Sequence, residues 1–186
     1  MYDTNQFKKG LRVEIDGLPY IMQDVEFVKP GKGQAFSRVK LKNLLSGQVQ
    51  RKTYKSGEKL APADILDTDM QFLYASDDLY HFMDNSSYEQ CEMPKSALDD
   101  NWKWLVDGMQ VQVTLYKSQP VSVSLPNFSA LEITACDPAV RGDTVTNATK
   151  NATLQTGVVV QVPLFVAEGE KIKIDTRTGE YVERVK

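Results

Sequence analysis

Lys32 stands between two glycines in the stretch Phe27-Val28-Lys29-Pro30-Gly31-Lys32-Gly33-Gln34-Ala35-Phe36. Strand-forming residues run in through Glu26-Phe27-Val28 and out through Ala35-Phe36 toward Val39 and Leu41. Pro30 presets φ near its turn value, and Gly31 and Gly33 accept positive φ without a Cβ clash. The spacing predicts a tight hairpin with Lys32 at its tip. Flanking glycines leave that backbone uncovered, so the ammonium can reach well beyond the fold. A lysine displayed this way either keeps a turn soluble or touches a partner.

No other constellation offers chemistry. Gly31-Lys32-Gly33 lacks the hydroxyl and following helix of a phosphate loop. The single histidine, His81, sits between Tyr80 and Phe82 in a period-two pattern and reads as a strand residue. Cys91 and Cys136 are far apart and lack metal-ligand spacing. Asp64, Asp67, Asp69, Asp77 and Asp78 read as turn and solubility residues, without the spacing of a calcium loop. Trp102 and Trp104 read as core bulk. The expectation is a protein that is not an enzyme and needs neither metal nor cofactor.

The elements that would position Lys32 are strands. Leu11-Arg12-Val13-Glu14-Ile15 alternates with period two and ends at an Asp16-Gly17 turn. Tyr20 to Val28 rises to the tip, Ala35 to Leu45 returns, and Val49 to Tyr54 follows the Ser46-Gly47 turn. On the return strand Arg38, Lys40 and Lys42 alternate with Val39 and Leu41, giving a basic stripe opposite an apolar face. Strands of this length with short turns suggest a small, strongly bent barrel over 1–63.

A second barrel is expected over 64–127, where two hairpins, Met70–Met83 and Met109–Leu125, flank a helix over about Lys95–Val106. Asp99, Asp100 or Asn101 would cap that helix. A third is expected over 128–186, from strands at Leu131–Ala135, Ala152–Thr156, Gly157–Pro163, Lys171–Asp175 and Tyr181–Val185. The polar stretch Asp137–Asn151 reads as a loop.

Charge divides along the same boundaries. Residues 1–63 hold 12 Lys and Arg against 6 Asp and Glu, residues 64–127 hold 3 against 11, and residues 128–186 hold 7 against 8. A basic first segment beside an acidic middle points to a partner that is anionic where the first segment binds. The polar N-terminus lacks a secretory apolar region, and no apolar run approaches the about 20 residues of a membrane helix. A cytoplasmic protein without membrane contact is expected.

The tip stretch resembles that of the bacterial elongation factor P family. The likeness extends to Phe7-Lys8-Lys9-Gly10-Leu11 and Arg38-Val39-Lys40-Leu41-Lys42-Asn43-Leu44, then to Gly157–Gly169 and Thr178–Lys186. Asp137-Pro138 and Arg141-Gly142-Asp143-Thr144 match as well, so it spans the chain in colinear order. One departure is Asn151, where the family commonly has proline. The resemblance implies an all-β protein of three small β-barrel domains, one SH3/KOW-like and two OB-like, in an L-shaped, tRNA-like arrangement.

It further implies a monomeric translation factor that binds the 70S ribosome between the peptidyl and exit tRNA sites and relieves stalling at polyproline. Lys32 would be the modified residue, extended by a lysyl-tRNA-synthetase-like ligase and reaching the acceptor end of peptidyl-tRNA. Lys29, Pro30, Gly31, Gly33 and Gln34 would shape and flank the tip. Arg38, Lys40 and Lys42 would meet ribosomal RNA phosphates. Gly142, Asp143 and Thr144 would reach the exit site, and Tyr181 and Arg184 would contact the ribosome. The alternative is an OB-type module for single-stranded nucleic acid, against which the acidic middle segment argues.

Overall fold

A computed structural model describes residues 1–139 and 148–186. Its regular elements are β-strands in three sheets. The first contains β1 (Tyr2–Asp3), β2 (Arg12–Ile15), β3 (Leu18–Val28), β4 (Phe36–Asn43), β5 (Val49–Lys55) and β6 (Lys59–Pro62), in the order β1-β6-β2-β3-β4-β5. The second contains β7 (Ile65–Ser76), β8 (Leu79–Asp84), β9 (Gln90–Pro94), β10 (Gln110–Tyr116) and β11 (Gln119–Ser124), in the order β11-β10-β7-β8-β9. The third contains β12 (Phe128–Cys136), β13 (Thr149–Leu154), β14 (Val159–Pro163), β15 (Lys171–Asp175) and β16 (Glu180–Arg184), in the order β14-β13-β12-β15-β16. The chain is all-β, as expected.

Met1–Asp67 with Thr114–Ser122 forms one compact unit, and Thr68–Val113 with Val123–Lys186 a second. In the first, alternation places Val13, Met22, Val39 and Leu41 on one face, where they are almost wholly buried with Phe7, Ile15, Tyr20 and Tyr54. Asp16 and Gly17 both take positive φ, so the Asp16-Gly17 turn closes β2 onto β3 as its composition predicts. A polar clamp ties β2 to residues 67 and 114–117. Arg12 pairs with Asp67 at 2.8 Å, and the Thr114 hydroxyl donates to the same carboxylate at 2.7 Å. The Tyr116 hydroxyl lies 2.9 Å from a Glu14 carboxylate oxygen and 3.0 Å from the Gly17 carbonyl, both acceptors for its proton. Burial pushes the Asp67 carboxyl up, but the Arg12 and Thr114 hydrogen bonds outweigh it and hold it below its ordinary value. Glu14 is lowered too, by the Tyr116 hydrogen bond first and by Lys117 at 3.2 Å second.

In the second unit β12 is long enough to pair twice. Phe128–Glu132 pair with β15, while Ile133 to Cys136 pair with β13 past an irregularity between Ile133 and Ala135. That bend curls the sheet around Leu131, Ile133, Leu154, Val162, Ile172 and Ile174. Trp104 completes this core from outside the sheet: it is buried among these residues, and its carbonyl accepts from the Ser129 hydroxyl at 2.9 Å.

The structure departs from expectation in several elements. The helix over Lys95–Val106 is replaced by two single 3₁₀ turns, Lys95–Ala97 and Asn101–Trp104. Asp99, with φ at 50°, breaks the helical path between them, and Asp100 precedes the second turn without a side-chain cap. Lys150 and Asn151 lie in β13 rather than in a loop, paired with Val162 and Gln161. Gly157, at φ 83°, belongs to the turn, and its strand begins at Val159.

Two expected outcomes follow from this packing. Gly179 has φ at +77°, and a Cβ there would meet the Trp104 ring at 3.1 Å. Gly179→Ala therefore lowers unfolding free energy by about 1–3 kcal/mol in denaturant titration, from backbone strain and overpacking together. The Asp84 carboxylate accepts from Ser87 and Ser86 and is held at about 2 instead of 3.8. Its pKa is depressed in the folded state, so its contribution is present above about pH 4 and is lost as pH falls toward 2. Asp84→Asn keeps an acceptor but binds no proton, so its stability falls less steeply than wild type across that interval.

Candidate functional site

The candidate site is the upper end of the β3–β4 hairpin. Pairing runs from Tyr20 opposite Asn43 to Val28 opposite Phe36, with an irregularity between Met22 and Asp24. The lower rungs are fixed by burial of Met22, Leu41 and Val39. Above Val25 that support ends: Glu26 and Phe27 are exposed, Phe27 at 57%, and the two strands continue as a ribbon.

The ribbon closes through residues 29–35, a wider connection than the tight turn expected. Lys29, Gly31, Lys32, Gly33 and Gln34 are exposed, while Pro30 is half-buried. Of the two glycines, Gly33 alone takes positive φ, at +112°, and Pro30 Cγ lies 3.9 Å from where its Cβ would stand. Lys32 forms no ion pair among the described residues. A primary amine so placed can donate to a phosphate or carbonyl, or be acylated, once something approaches it.

The exit limb of the loop is hooked to the fold, a feature the sequence did not signal. Gln34 Nε2 donates to the Ser56 carbonyl at 3.1 Å, and the Ser56 amide donates to the Ala35 carbonyl at 2.9 Å. The adjoining Gly57 amide donates to the hydroxyl of buried Thr4 at 3.2 Å. Asp3, which caps the 3₁₀ turn Thr4–Gln6, fixes Thr4 in turn.

Arg38, Lys40 and Lys42 share one face of β4, as alternation predicts. Arg38 is exposed and lies 3.9 Å from Glu26 and 5.4 Å from the Phe36 ring centroid. At that exposure the pair contributes at most about 1 kcal/mol. Lys40 and Lys42 are half-buried. Register adds what spacing along one strand could not show: Lys40 is opposite Arg51, and Phe36 opposite Lys55, on β5. The alternation of Arg51, Thr53 and Lys55 was the available signal, but only pairing brings them beside β4. Like charges directly opposite are destabilising in isolation, so the Lys40–Arg51 rung suits a surface that meets anions.

The remaining sequence candidates lie elsewhere. Tyr181 is half-buried against the third sheet's core. Arg184 pairs with Glu170 at 3.2 Å and lies 5.0 Å over the Phe165 ring. The Ala167 amide first, and Arg184 with it, outweigh burial and hold the Glu170 carboxyl below its ordinary value. Both residues belong to the second compact unit. Gly142, Asp143 and Thr144 lie outside the described residues.

Comparison with known proteins covers nearly the whole chain. Residues 3–60 match the elongation factor P (EF-P) KOW-like domain, 65–123 the elongation factor P (EF-P) OB domain, and 130–184 the elongation factor P C-terminal domain. The chain is also similar to eukaryotic translation initiation factor 5A from Methanococcus jannaschii, at 25% identity and a TM-score of 0.57 over 67% of this chain and 91% of that one. Similarity to a translation initiation factor eif-5a family protein from Naegleria fowleri is 16% in sequence, with a TM-score of 0.49 over 66% and 94%.

The Gln34 hook can be tested in solution. Gln34 is exposed, so Gln34→Ala changes global stability by less than about 0.5 kcal/mol. Protection of the Ser56 amide against hydrogen exchange falls by about 3- to 10-fold, the loss of one net hydrogen bond's worth of local stability. Unchanged Ser56 protection means that the loop is held by something other than this side chain.

Proposed function

Because the chain belongs to the elongation factor P family and is a translation elongation factor that interacts with the ribosome, we propose that it binds the 70S particle between the peptidyl and exit tRNA sites. There it relieves stalling at polyproline through Lys32. The observation that carries this reading is the exposed amine at the end of a braced ribbon whose adjoining face gathers Arg38, Lys40, Lys42, Arg51 and Lys55. A basic face below a protruding amine suits an RNA partner with a substrate beyond it, because phosphate contacts position without reading sequence.

The mechanism is positional. Proline is conformationally restricted and reacts slowly in peptide-bond formation. Lys29 and the stripe would seat the factor on ribosomal RNA and the tRNA acceptor end, and Lys32 would hold the peptidyl-tRNA terminus in line. Holding reactants in geometry can contribute on the order of several kcal/mol without a protein acid or base. Acylation of Lys32 by a lysyl-tRNA-synthetase-like ligase would lengthen the reach, and the exposure of Gly31-Lys32-Gly33 leaves that amine accessible to such an enzyme. Gly142, Asp143 and Thr144 would approach the exit site, with Tyr181 and Arg184 as further ribosome contacts. Domains at 1–63, 64–127 and 128–186, acting as a monomer in the cytoplasm, complete the reading. No described helix is long and apolar enough to cross a membrane.

Replacement of wild type by Lys32→Ala in a reconstituted translation reaction lowers synthesis through a triple-proline template at least about tenfold, equivalent to about 1.4 kcal/mol of barrier. The variant keeps the wild-type unfolding transition, since Lys32 has no packing partner. Full rescue by folded Lys32→Ala removes the lysine from the mechanism. Intact mass of protein from its own host, with peptide mapping over 27–36, reads the modification directly.

A further inference from the structure

A groove of about 370 Å³ opens in the second compact unit, and four aromatic side chains stand in a lining that also holds Leu105, Asp107, Gln155 and Thr156. Phe72 and Tyr74 come from β7, Tyr80 from β8, and Trp102 from the 3₁₀ turn Asn101–Trp104. Phe72 and Tyr80 are buried, with ring centroids 5.8 Å apart, and form the floor. Tyr74 is different: it is 48% exposed and stacks on His81 at 4.5 Å, a rigid aromatic face turned outward. Asp107 is an exposed carboxylate at the groove. None of these residues belongs to the Lys32 ribbon.

The electrostatics around the groove choose its occupant. Residues 64–127 carry a net charge of −8. Asp77, Asp78, Asp99 and Asp107 are exposed and make no ion pair among the described residues. A phosphate backbone is repelled from such a surface, whereas a cation is drawn to it and then to the negative faces of the rings. Lys95 Nζ lies 3.7 Å from the Trp102 ring centroid, so one face of that ring already holds a cation and only the other can receive a second. Arginine suits the site better than lysine, because its guanidinium is planar, weakly hydrated and stacks on aromatic faces.

We infer that the groove is a docking site for a basic segment of a protein partner, which lays an arginine side chain against Tyr74 and Trp102 with its charge balanced by Asp107. The inference stands apart from the role of Lys32 and survives if that role fails.

The full-length protein, labelled with ¹⁵N at its tryptophans, is titrated with an octa-arginine peptide and separately with octa-uridylate. The indole N–H signal of Trp102, identified by its absence in Trp102→Phe, reports the groove. The arginine peptide shifts this signal saturably, and octa-uridylate leaves it unmoved. Tyr74→Ala weakens the peptide's effect by about 5- to 10-fold, the size expected for a partly desolvated cation–π contact. Asp107→Asn, a surface change that spares every ring, weakens it by about 3-fold or more. An unmoved indole, equal affinity in folded Tyr74→Ala and Asp107→Asn, or a shift driven by octa-uridylate overturns the proposal. Equal affinity would mean that the peptide senses only the acidic surface, and a uridylate shift would mean that the groove stacks bases.

Discussion

The antiparallel pairing of β3 with β4 is the constraint on which the candidate site depends. Its lower half is locked by burial, because a one-residue slip would carry Val39 and Leu41 to solvent and Arg38 and Lys40 into the core. Its upper half has no core beneath it, and an isolated two-stranded ribbon is marginal in water. The stiffness of the tip is therefore borrowed from the core at its base and from the Gln34–Ser56 hook at its side. Lys32 can be both exposed and well placed only because those two supports lie below it.

Charge is arranged by the same pairing. Glu26 and Asp24 face Arg38 and Lys40 from β3, while Arg51 faces Lys40 from β5. The basic face is thus bounded by carboxylates on one side and extended by cations on the other, so it is a directed surface rather than a uniformly positive one. Residues 64–127 have the opposite sign, and their aromatic groove is suited to cations.

Small sheets bury too little apolar surface to be comfortably stable alone, and the chain answers this differently in its two compact units. In the first, carboxylates do the joining: Asp67 and Glu14 accept hydrogen bonds and ion pairs that hold β2 to residues 114–117. In the second, an aromatic ring does it, with Trp104 filling the core of the curled third sheet. The first device depends on charge and weakens in acid, while the second depends on shape and tolerates no added bulk at Gly179.

Period-two alternation and Gly and Pro punctuation pointed to strands throughout, to β2–β5 of the six strands of the first sheet, and to the exposed lysine. These signals are local, and so was the signature shared with elongation factor P. The 3₁₀ turns in place of a helix were not legible, because the break at Asp99 is a backbone conformation that its neighbours allow and does not announce. Nor was the hook, since Gln34 and Ser56 are 22 residues apart and meet only when β5 returns beside β4. The widened basic face, and the choice of the third sheet as the core that Trp104 fills, share that cause. Sequence determined which residues prefer strands, turns or water; tertiary structure decided which strands lie side by side, because pairing register and ring packing depend on contacts between residues far apart in the chain.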